Sequence, residues 1–288
     1  MLIVSCSRGG HLAKLIAKGV KADYSELIVS KFPDDELQIR LNADLLGKNI
    51  YFVQSFYGTV SDCIIEVILA AKTAKELGAK KIILIAPYFP YMRQDKRFHS
   101  GEAVSQKIIA ELVGNYFDFI YTLDPHLHRT NRLGDVFKTK SKKLTANTLI
   151  AGYIKKNIKN PVVVGPDEES YKWARKVAEI LGVESRILKK KRFSYYHVEV
   201  RLNKKIDFRN KNLVIVDDII STGHTILETA KLLKRLGARK IYCICVHGIF
   251  ADGALGKLKK AGIEVVSTNT IPSKVSRIDV SGLIARNL

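Results

Sequence analysis

The sequence predicts an α/β protein of two tandem domains, each with a mostly parallel sheet flanked by helices. Short apolar segments alternate with amphipathic segments along the 288 residues, and such alternation is typical of βαβ units. The length exceeds that of one ordinary domain. Internal sequence similarity supports duplication of an α/β unit. The segments KELGAKKIILIAPYF (75–89) and KRLGARKIYCICVHG (234–248) both read as helix end, glycine, basic pair and buried strand.

The elements follow from local periodicity. Apolar faces at i, i+3, i+4 and i+7 predict helices around 64–71 and 226–233. We expect a domain boundary in the polar, basic stretch after residue 142, which gives domains 1–142 and 143–288. The last helix is a candidate to pack back on the first domain. Residues 186–193 and 195–202 suggest a hairpin or flap. Strands are predicted at Leu2–Cys6, Leu27–Ser30, Ile50–Gln54, Ile82–Ala86, Phe119–Leu123, Val162–Val164, Leu213–Val216, Ile241–Val246 and Val265–Ser267.

Composition narrows the class of protein. Apolar residues make up 47%, which is enough for full cores, and the formal net charge is +20, which attracts anions. The basic residues are dispersed, and this disfavours nucleic acid as the main ligand. Without a run of eighteen apolar residues or a basic leader, we expect a cytoplasmic protein with no membrane span. The four cysteines form no C-x-x-C pair, so we expect buried thiols rather than zinc ligands.

One motif carries most of the functional argument. LVIVDDIISTGHT (213–225) reads as a buried strand, two aspartates, a turn and a helix. A helix N-terminus presents unpaired N–H groups that suit a phosphate, and Gly223 permits close backbone approach. Asp217 and Asp218 suit either two ribose hydroxyls or a metal-bound water. Hydroxyl donors follow at Ser221, Thr222 and Thr225.

This motif resembles the phosphoribosyl-diphosphate loop of type I phosphoribosyltransferases and of ribose-phosphate pyrophosphokinases. Other segments, in the same order along nearly the whole chain, resemble the pyrophosphokinases, in particular their shorter archaeal members. Those segments are FPDDELQIRL (32–41), PYFPYMRQDKRF (87–98), TLDPHLH (122–128), VGPDEES (164–170) and LKKKRF (188–193).

The resemblance implies a fold of two phosphoribosyltransferase-like domains and a reaction. ATP and ribose 5-phosphate would give AMP and 5-phosphoribosyl 1-diphosphate, with Mg²⁺ as cofactor and a homodimer or larger homo-oligomer as the assembly. It implies catalytic Lys190 and Arg192, and Mg²⁺ ligands His126 and Asp167. It implies ATP contacts at Phe32, Asp34, Asp35, Glu36, Arg93 and Gln94. It implies ribose-5-phosphate contacts at Arg192, Asp217, Asp218, Ser221, Thr222, Gly223, His224 and Thr225.

The sequence departs from the family pattern at two places. Asp35 stands where the family has glycine, and Glu168 and Glu169 stand where small glycines are usual. In the family the second site approaches the diphosphate, which two further carboxylates would repel unless they point away or meet metal.

Several alternatives stay open. His128 could replace His126 as ligand, Asp124 could hold a metal-bound water or cap a turn, and Phe32 could stack on adenine or pack in the core. Asp95 and Arg97 could form an ion pair or contact a ligand. A phosphoribosyltransferase, an inactive regulatory relative and a basic nucleic-acid-binding protein are the competing functions.

Overall fold

The computed structural model describes the chain except residues 131, 168–169, 188, 193–197, 202–207 and 210, and for 189–192 and 198–201 it describes the backbone alone. The chain divides into two compact units. The first comprises Met1–Thr145 together with Val280–Leu288, and the second comprises Ala146–Asp279. The helices are, in chain order, α1 (Gly10–Val20), α2 (Val60–Glu76), α3 (Ser105–Gly114), α4 (Asn147–Asn157), α5 (Tyr171–Leu181), α6 (His224–Arg235), α7 (Ala254–Lys260) and α8 (Ser281–Ala285).

The first unit has a sheet ordered β3-β2-β1-β4-β5-β6-β7. Neighbouring strands are parallel except β2 and β3, which form an antiparallel hairpin at one edge. The strands are β1 (Leu2–Ser5), β2 (Asp23–Lys31), β3 (Leu37–Leu41), β4 (Asn49–Val53), β5 (Lys81–Ala86), β6 (Phe119–Leu123) and β7 (Ser141–Leu144).

One face of this sheet packs against α2. The helix buries residues at helical spacing, among them Ile64, Val67 and Ala71, in the same core as Phe52 and Leu84. Burial of such a stripe is the main stabilising term for a surface helix.

The short C-terminal helix α8 belongs to the first unit and packs against α1. A Cβ built on Gly19 of α1 would lie 3.0 Å from the Ala285 Cβ, so the two backbones approach closely. Ile284 is fully buried there. The last residues of the chain therefore complete a unit that begins at residue 1.

The second unit has a parallel sheet ordered β15-β14-β13-β12-β8-β9 and a separate antiparallel hairpin β10-β11. On α6, the face predicted from sequence is buried. The strands are β8 (Pro161–Gly165), β9 (Ser185–Ile187), β10 (Lys189–Arg192), β11 (Val198–Arg201), β12 (Asn212–Ile220), β13 (Lys240–Gly248), β14 (Ile263–Thr268) and β15 (Ser276–Ile278).

Every strand predicted from sequence has a counterpart, and Phe119–Leu123 matches at both ends. The hairpin prediction is confirmed by the antiparallel pairing of β10 with β11. The four cysteines are buried and free. Within the described part of the chain, no helix combines the length and apolar character needed to cross a bilayer.

Each parallel sheet contains a point at which the strand order reverses. In the first unit it lies between β1 and β4, and in the second between β8 and β12. Loops diverge at such a point and leave a crevice beyond the carboxyl ends of the strands, where ligands of open α/β sheets bind. The two crevices are the places to look for a site.

Candidate active site

The crevice of the second unit is lined by the loop predicted from sequence, with corrected boundaries. The predicted strand ended at Val216, but β12 continues to Ile220, because Asp217, Ile219 and Ile220 pair with β13. The two aspartates therefore lie inside the strand, and the turn is only Ser221–Gly223. Helix α6 then begins at His224, so His224 and Thr225 belong to its first turn.

The backbone of this turn explains the glycine. Gly223 has φ +73° at the N-cap of α6, and its carbonyl accepts a hydrogen bond from Leu227 N at 3.0 Å. This left-handed conformation favours glycine. It directs the chain into α6, whose N–H groups suit an anion.

Asp217 and Asp218 are both buried, with exposed fractions of 9% and 4%. Each Oδ1 accepts a hydrogen bond from the next backbone N–H, at 2.9 and 2.8 Å. Burial raises the pKa of Asp217 well above its usual value. The neighbouring carboxylates of Asp218 and Asp167 raise it further, against a smaller lowering by Ser170. The three carboxyl groups therefore lie close enough to interact electrostatically.

Asp167 follows β8 on the other side of the crevice. Its Oδ1 accepts hydrogen bonds from the Ser170 backbone N–H at 2.8 Å and from the Ser170 hydroxyl at 2.7 Å, which orders the entry to α5. The structure thus brings Asp167, Asp217 and Asp218 together. The departures from the family pattern at Glu168 and Glu169 lie outside the described residues.

Lys190 and Arg192 lie on β10, where they are register partners of Val200 and Val198 on β11. Their side chains are outside the described part of the structure. Both lie on one face of the strand, because side chains alternate along a β-strand.

In the first unit, Arg93 and Gln94 lie in the loop after β5. Gln94 is fixed by α3, since its Oε1 accepts a hydrogen bond from the Ser105 hydroxyl at 2.7 Å and its carbonyl accepts one from Gln106 N at 3.2 Å. Arg93 is exposed. The loop thus places the positively charged side chain of Arg93 at the carboxyl edge of the sheet.

The loop after β6 carries His126 and is tied to the loop after β5. Arg129 Nη1 lies 2.6 Å from Asp95 Oδ1, and the Asp95 side chain is only 2% exposed. Asp95 is therefore a buried partner of Arg129. The rings of His126 and His128 are 6.3 Å apart, centroid to centroid.

Phe32, Asp34, Asp35 and Glu36 form the exposed turn between β2 and β3. Phe32 N donates to Glu36 O at 2.8 Å, and Asp35 N donates to Phe32 O at 3.0 Å. Phe32 is 46% exposed, so its ring does not pack in the core. Asp35 has φ +69°, so it adopts the left-handed conformation for which glycine is suited, and aspartate tolerates that conformation better than most residues.

The structure does not bring this turn beside Arg93. Three strand-to-strand steps separate β2 from β5, which amounts to about 14 Å across the sheet. Within one unit, Arg93, Gln94 and His126 form one group and the Phe32–Glu36 turn another.

Sequence reasoning missed a polar network at the crevice of the first unit. Glu66 of α2 is 2% exposed, and its carboxylate accepts hydrogen bonds from Ser7 N at 2.7 Å, Ser7 Oγ at 2.6 Å and Gln54 Nε2 at 3.1 Å. Gln54 Oε1 accepts one from Arg8 N. The Arg8 guanidinium lies 5.4 Å from the centroid of the Tyr57 ring.

This network holds the loop between β1 and α1. Burial raises the Glu66 pKa, against lowering by its hydrogen bonds to Ser7 and Gln54 and by the Arg8 charge. Gly9 is required because a Cβ there would collide with the Val53 carbonyl. The Ser-Arg-Gly-Gly sequence directly after a predicted strand was the available signal, since glycines there permit close contact.

Comparison with known proteins decides the family. Residues 1–116 match the family model described as the N-terminal domain of ribose phosphate pyrophosphokinase, and 134–281 match the phosphoribosyl transferase domain. A ribose-phosphate pyrophosphokinase of Methanothermobacter thermautotrophicus is 38% identical over 99% of this chain and 98% of its own. The chain belongs to the ribose-phosphate pyrophosphokinase family.

Another pyrophosphokinase relative, from Pyrococcus abyssi, is 34% identical over 99% of this chain and 98% of its own length. The crystal structure of phosphoribosylpyrophosphate synthetase from Mycobacterium smegmatis superposes with a TM-score of 0.88 at 27% identity, covering 99% of this chain and 96% of that one. The matches that show the family and its two-domain α/β fold thus extend over nearly the whole chain.

Proposed function

We propose that this protein transfers the diphosphate of ATP to the C1 hydroxyl of ribose 5-phosphate, giving 5-phosphoribosyl 1-diphosphate and AMP. The observation that carries the proposal is the crevice between β8 and β12. It combines Asp217 and Asp218 with a left-handed glycine and a helix N-terminus. Carboxylates suit sugar hydroxyls and a helix N-terminus suits a phosphate, and full-length pyrophosphokinase relatives agree with this use.

On the sugar side, the turn Ser221–Gly223 and the first residues of α6 bind the 5-phosphate. Donors are the backbone N–H groups at the start of the helix and the hydroxyls of Ser221, Thr222 and Thr225, with His224 beside them. Asp217 and Asp218 accept hydrogen bonds from the ribose hydroxyls. A pentose phosphate held at both ends leaves its C1 hydroxyl oriented for attack.

On the nucleotide side, Arg93 and Gln94 bind ATP, and Phe32, Asp34, Asp35 and Glu36 contact its adenosine part. The C1 oxygen attacks the β-phosphorus, the bond from that phosphorus to the α,β-bridging oxygen breaks, and AMP departs. The hydroxyl proton is released. Such a transfer depends mainly on positioning and charge stabilisation.

The carboxylates fit a hard divalent cation. Oxygen donors suit Mg²⁺. Burial and, after it, the charges of Asp218 and Asp167 raise the Asp217 pKa, and a cation relieves the repulsion between these carboxylates. Mg²⁺ usually keeps several waters and takes only one or two protein carboxylates. His126 and Asp167 are the proposed protein ligands. When bound, Mg²⁺ neutralises charge on the phosphate oxygens.

Lys190 and Arg192 supply the remaining positive charge to the transferred group. A guanidinium matches two phosphate oxygens at once, and an ammonium is a compact charge.

Both substrates are cytoplasmic metabolites, so we place the protein in the cytoplasm. We also propose a homodimer or larger homo-oligomer, in which the exposed Phe32 turn serves the nucleotide site of a neighbouring subunit.

A coupled assay tests the function. Purified protein, Mg²⁺, ATP and ribose 5-phosphate should yield AMP only when the sugar phosphate is present. Lys190→Ala should lower kcat by about 10²–10³-fold, as loss of a charge-stabilising group does, with little change in ribose 5-phosphate binding. Lys189→Ala on the opposite face of β10 is the control and should retain activity. AMP release independent of the sugar would refute the reaction.

A further inference from the structure

Residues 248–253 run from the last residue of β13 to the residue before α7, and we call this segment the 248–253 turn. It fixes the residue that precedes Ser221–Gly223, which is the phosphate-binding turn of the proposed function. The backbone N–H groups of Ile249 and Phe250 both donate to the carbonyl of Ile220, at 3.0 and 3.1 Å. Ile220 is the last residue of β12 and directly precedes Ser221. The direction in which the chain leaves the sheet is therefore set by these two bonds.

The other end of the phosphate-binding turn rests on the helix that follows the 248–253 turn. A Cβ built on Gly223 would lie 3.4 Å from the Ala254 Cβ and 3.4 Å from Leu258 Cδ1, so the start of α7 lies close to Gly223. Ala254 and Leu258 are both fully buried. The three residues Ser221–Gly223 are thus supported before and behind by one continuous segment.

This supporting segment has an unusual backbone. Phe250 has φ +51° and ψ +43°, and Asp252 has φ +52° and ψ +33°. For a bulky aromatic residue the left-handed region is a genuine outlier, because its Cβ approaches the following carbonyl oxygen too closely. Such strain persists only where the surroundings over-determine it, and it concentrates at functional sites.

The Phe250 ring explains how the strain is maintained. The ring lies over Gly248, where a Cβ would collide with it, and it packs against the core of the second unit. His247, which precedes Gly248, is also held in place. Its Nδ1 lies 2.9 Å from the Thr270 hydroxyl oxygen, and this hydroxyl donates to the Val246 carbonyl. The 248–253 turn is therefore anchored at its base and by its ring.

We propose that Phe250 is a positioning residue for ribose 5-phosphate. Its ring, seated on Gly248, fixes the backbone N–H groups that hold Ile220, and thereby keeps Ser221–Gly223 in the conformation that receives the 5-phosphate. This proposal rests on the proposed function for its ligand. The preorganised turn binds the sugar phosphate without first having to be ordered.

The kinetic test uses three variants. Phe250→Leu removes the ring and should raise KM for ribose 5-phosphate about tenfold or more, while KM for ATP and kcat change less than about threefold, because only sugar binding is affected. Phe250→Tyr keeps the ring and should restore the wild-type KM. Phe208→Leu truncates a fully buried phenylalanine of the same core and should lower stability without moving either KM.

A second measurement is independent of catalysis. In ligand-free protein, amide hydrogen exchange at residues 222–225 should be at least about tenfold faster in Phe250→Leu than in wild type, with β14 amides unchanged, because local order is lost. Gly248→Ala, which displaces the ring, should do the same. If exchange rises but neither the wild type nor any variant forms product, Phe250 still orders the Ser221–Gly223 turn and the proposed reaction fails. Unchanged exchange, or equal changes in both KM values, overturns the positioning role.

Discussion

Asp217 shows how one residue can be unfavourable for the fold and suited to its ligand. Its carboxyl is buried in β12 with Asp218 and Asp167 nearby, and both burial and these charges raise its pKa. Because the folded state holds the Asp217 proton more tightly than the unfolded chain, ionisation of this group destabilises the fold. A bound cation or sugar hydroxyl compensates part of that cost.

This argument gives a pH prediction for Asp217→Asn. Below the unfolded pKa of about 3.9, the wild-type group contributes its full stability. That contribution is lost as pH rises through the raised folded pKa. The difference in free energy of unfolding between variant and wild type should therefore shift in favour of the variant from pH 4 upward, until the folded pKa is passed. Urea unfolding between pH 4 and 8 measures it.

Asp23→Asn, at an exposed position, is the control for the effect of removing one carboxylate. It should show a smaller change in pH dependence than Asp217→Asn. Identical pH profiles for the Asp217→Asn variant and the wild type would contradict the assignment of unfavourable charge to this site.

Asp35 makes a second prediction at the residue scale. Because its φ is +69°, Asp35→Val places a β-branched side chain in the left-handed region and should cost about 1–2 kcal/mol of stability. Asp35→Gly should change stability by less than about 0.5 kcal/mol, since glycine fits the conformation but is more flexible when unfolded. Chemical denaturation compares the two, and equal stabilities of the variants would reject the left-handed turn.

At the scale of elements, the loops after β5 and β6 are joined by one ion pair of unequal partners. Arg129 is 39% exposed in its side chain, whereas that of Asp95 is 2% exposed. Removing Arg129 leaves a buried carboxylate without its cation, which is costly because the desolvated charge loses its partner. The ion pair therefore holds the loop that carries Arg93 next to the loop that carries His126.

Arg129→Ala should lower the free energy of unfolding by about 2–4 kcal/mol. The matched control is Arg175→Ala, which breaks an exposed pair with Glu179 on α5 and should cost less than about 1 kcal/mol. Urea unfolding measures both variants. Similar losses for the two would show that burial of Asp95 does not decide the energetics.

Much of the fold could be predicted because the core strands are continuous apolar segments. Strand β6 was predicted at its observed bounds, whereas β12 was ended early, since Asp217 and Asp218 interrupt the apolar pattern and only pairing with β13 shows that the strand continues. Strand β3 was missed although LQIRL alternates apolar and polar residues, because the predicted strands were all taken from continuous apolar segments.

In the candidate site too, residues close together in sequence were predicted, whereas contacts between distant segments were not. Residues that lie together in sequence, such as Asp217–Thr225, were found because local chemistry identifies them. Whether they act as proposed stays a prediction. The Glu66 network was missed because its partners come from three separate elements, and Ser7 is 59 residues from Glu66. Neither side chain alone signals a buried pair, so tertiary structure was needed.

At the scale of the whole molecule, the separation of the Phe32 turn from Arg93 predicts a sharing of sites between subunits. We expect Phe32→Ala and Arg93→Ala each to be nearly inactive at ordinary ATP concentrations. After mixing and subunit exchange, dimers with one copy of each variant should regain one intact site, and about a quarter of wild-type activity should return.

Activity of the mixture, measured against each variant alone, is the readout. Mixing Phe32→Ala with Asp34→Ala is the control, since both changes lie in one turn and no intact site forms. Recovery in the control, or none in the test mixture, would contradict a site shared across subunits.

The packing of α8 on α1 has a consequence for biosynthesis. Residues 146–279 are interposed between two parts of the first unit, so the helix that covers Gly19 is synthesised only after the whole of the second unit. The first unit therefore cannot be completed during synthesis of its first 145 residues. Until α8 has been synthesised, the face of α1 that it covers stays uncovered on the nascent chain.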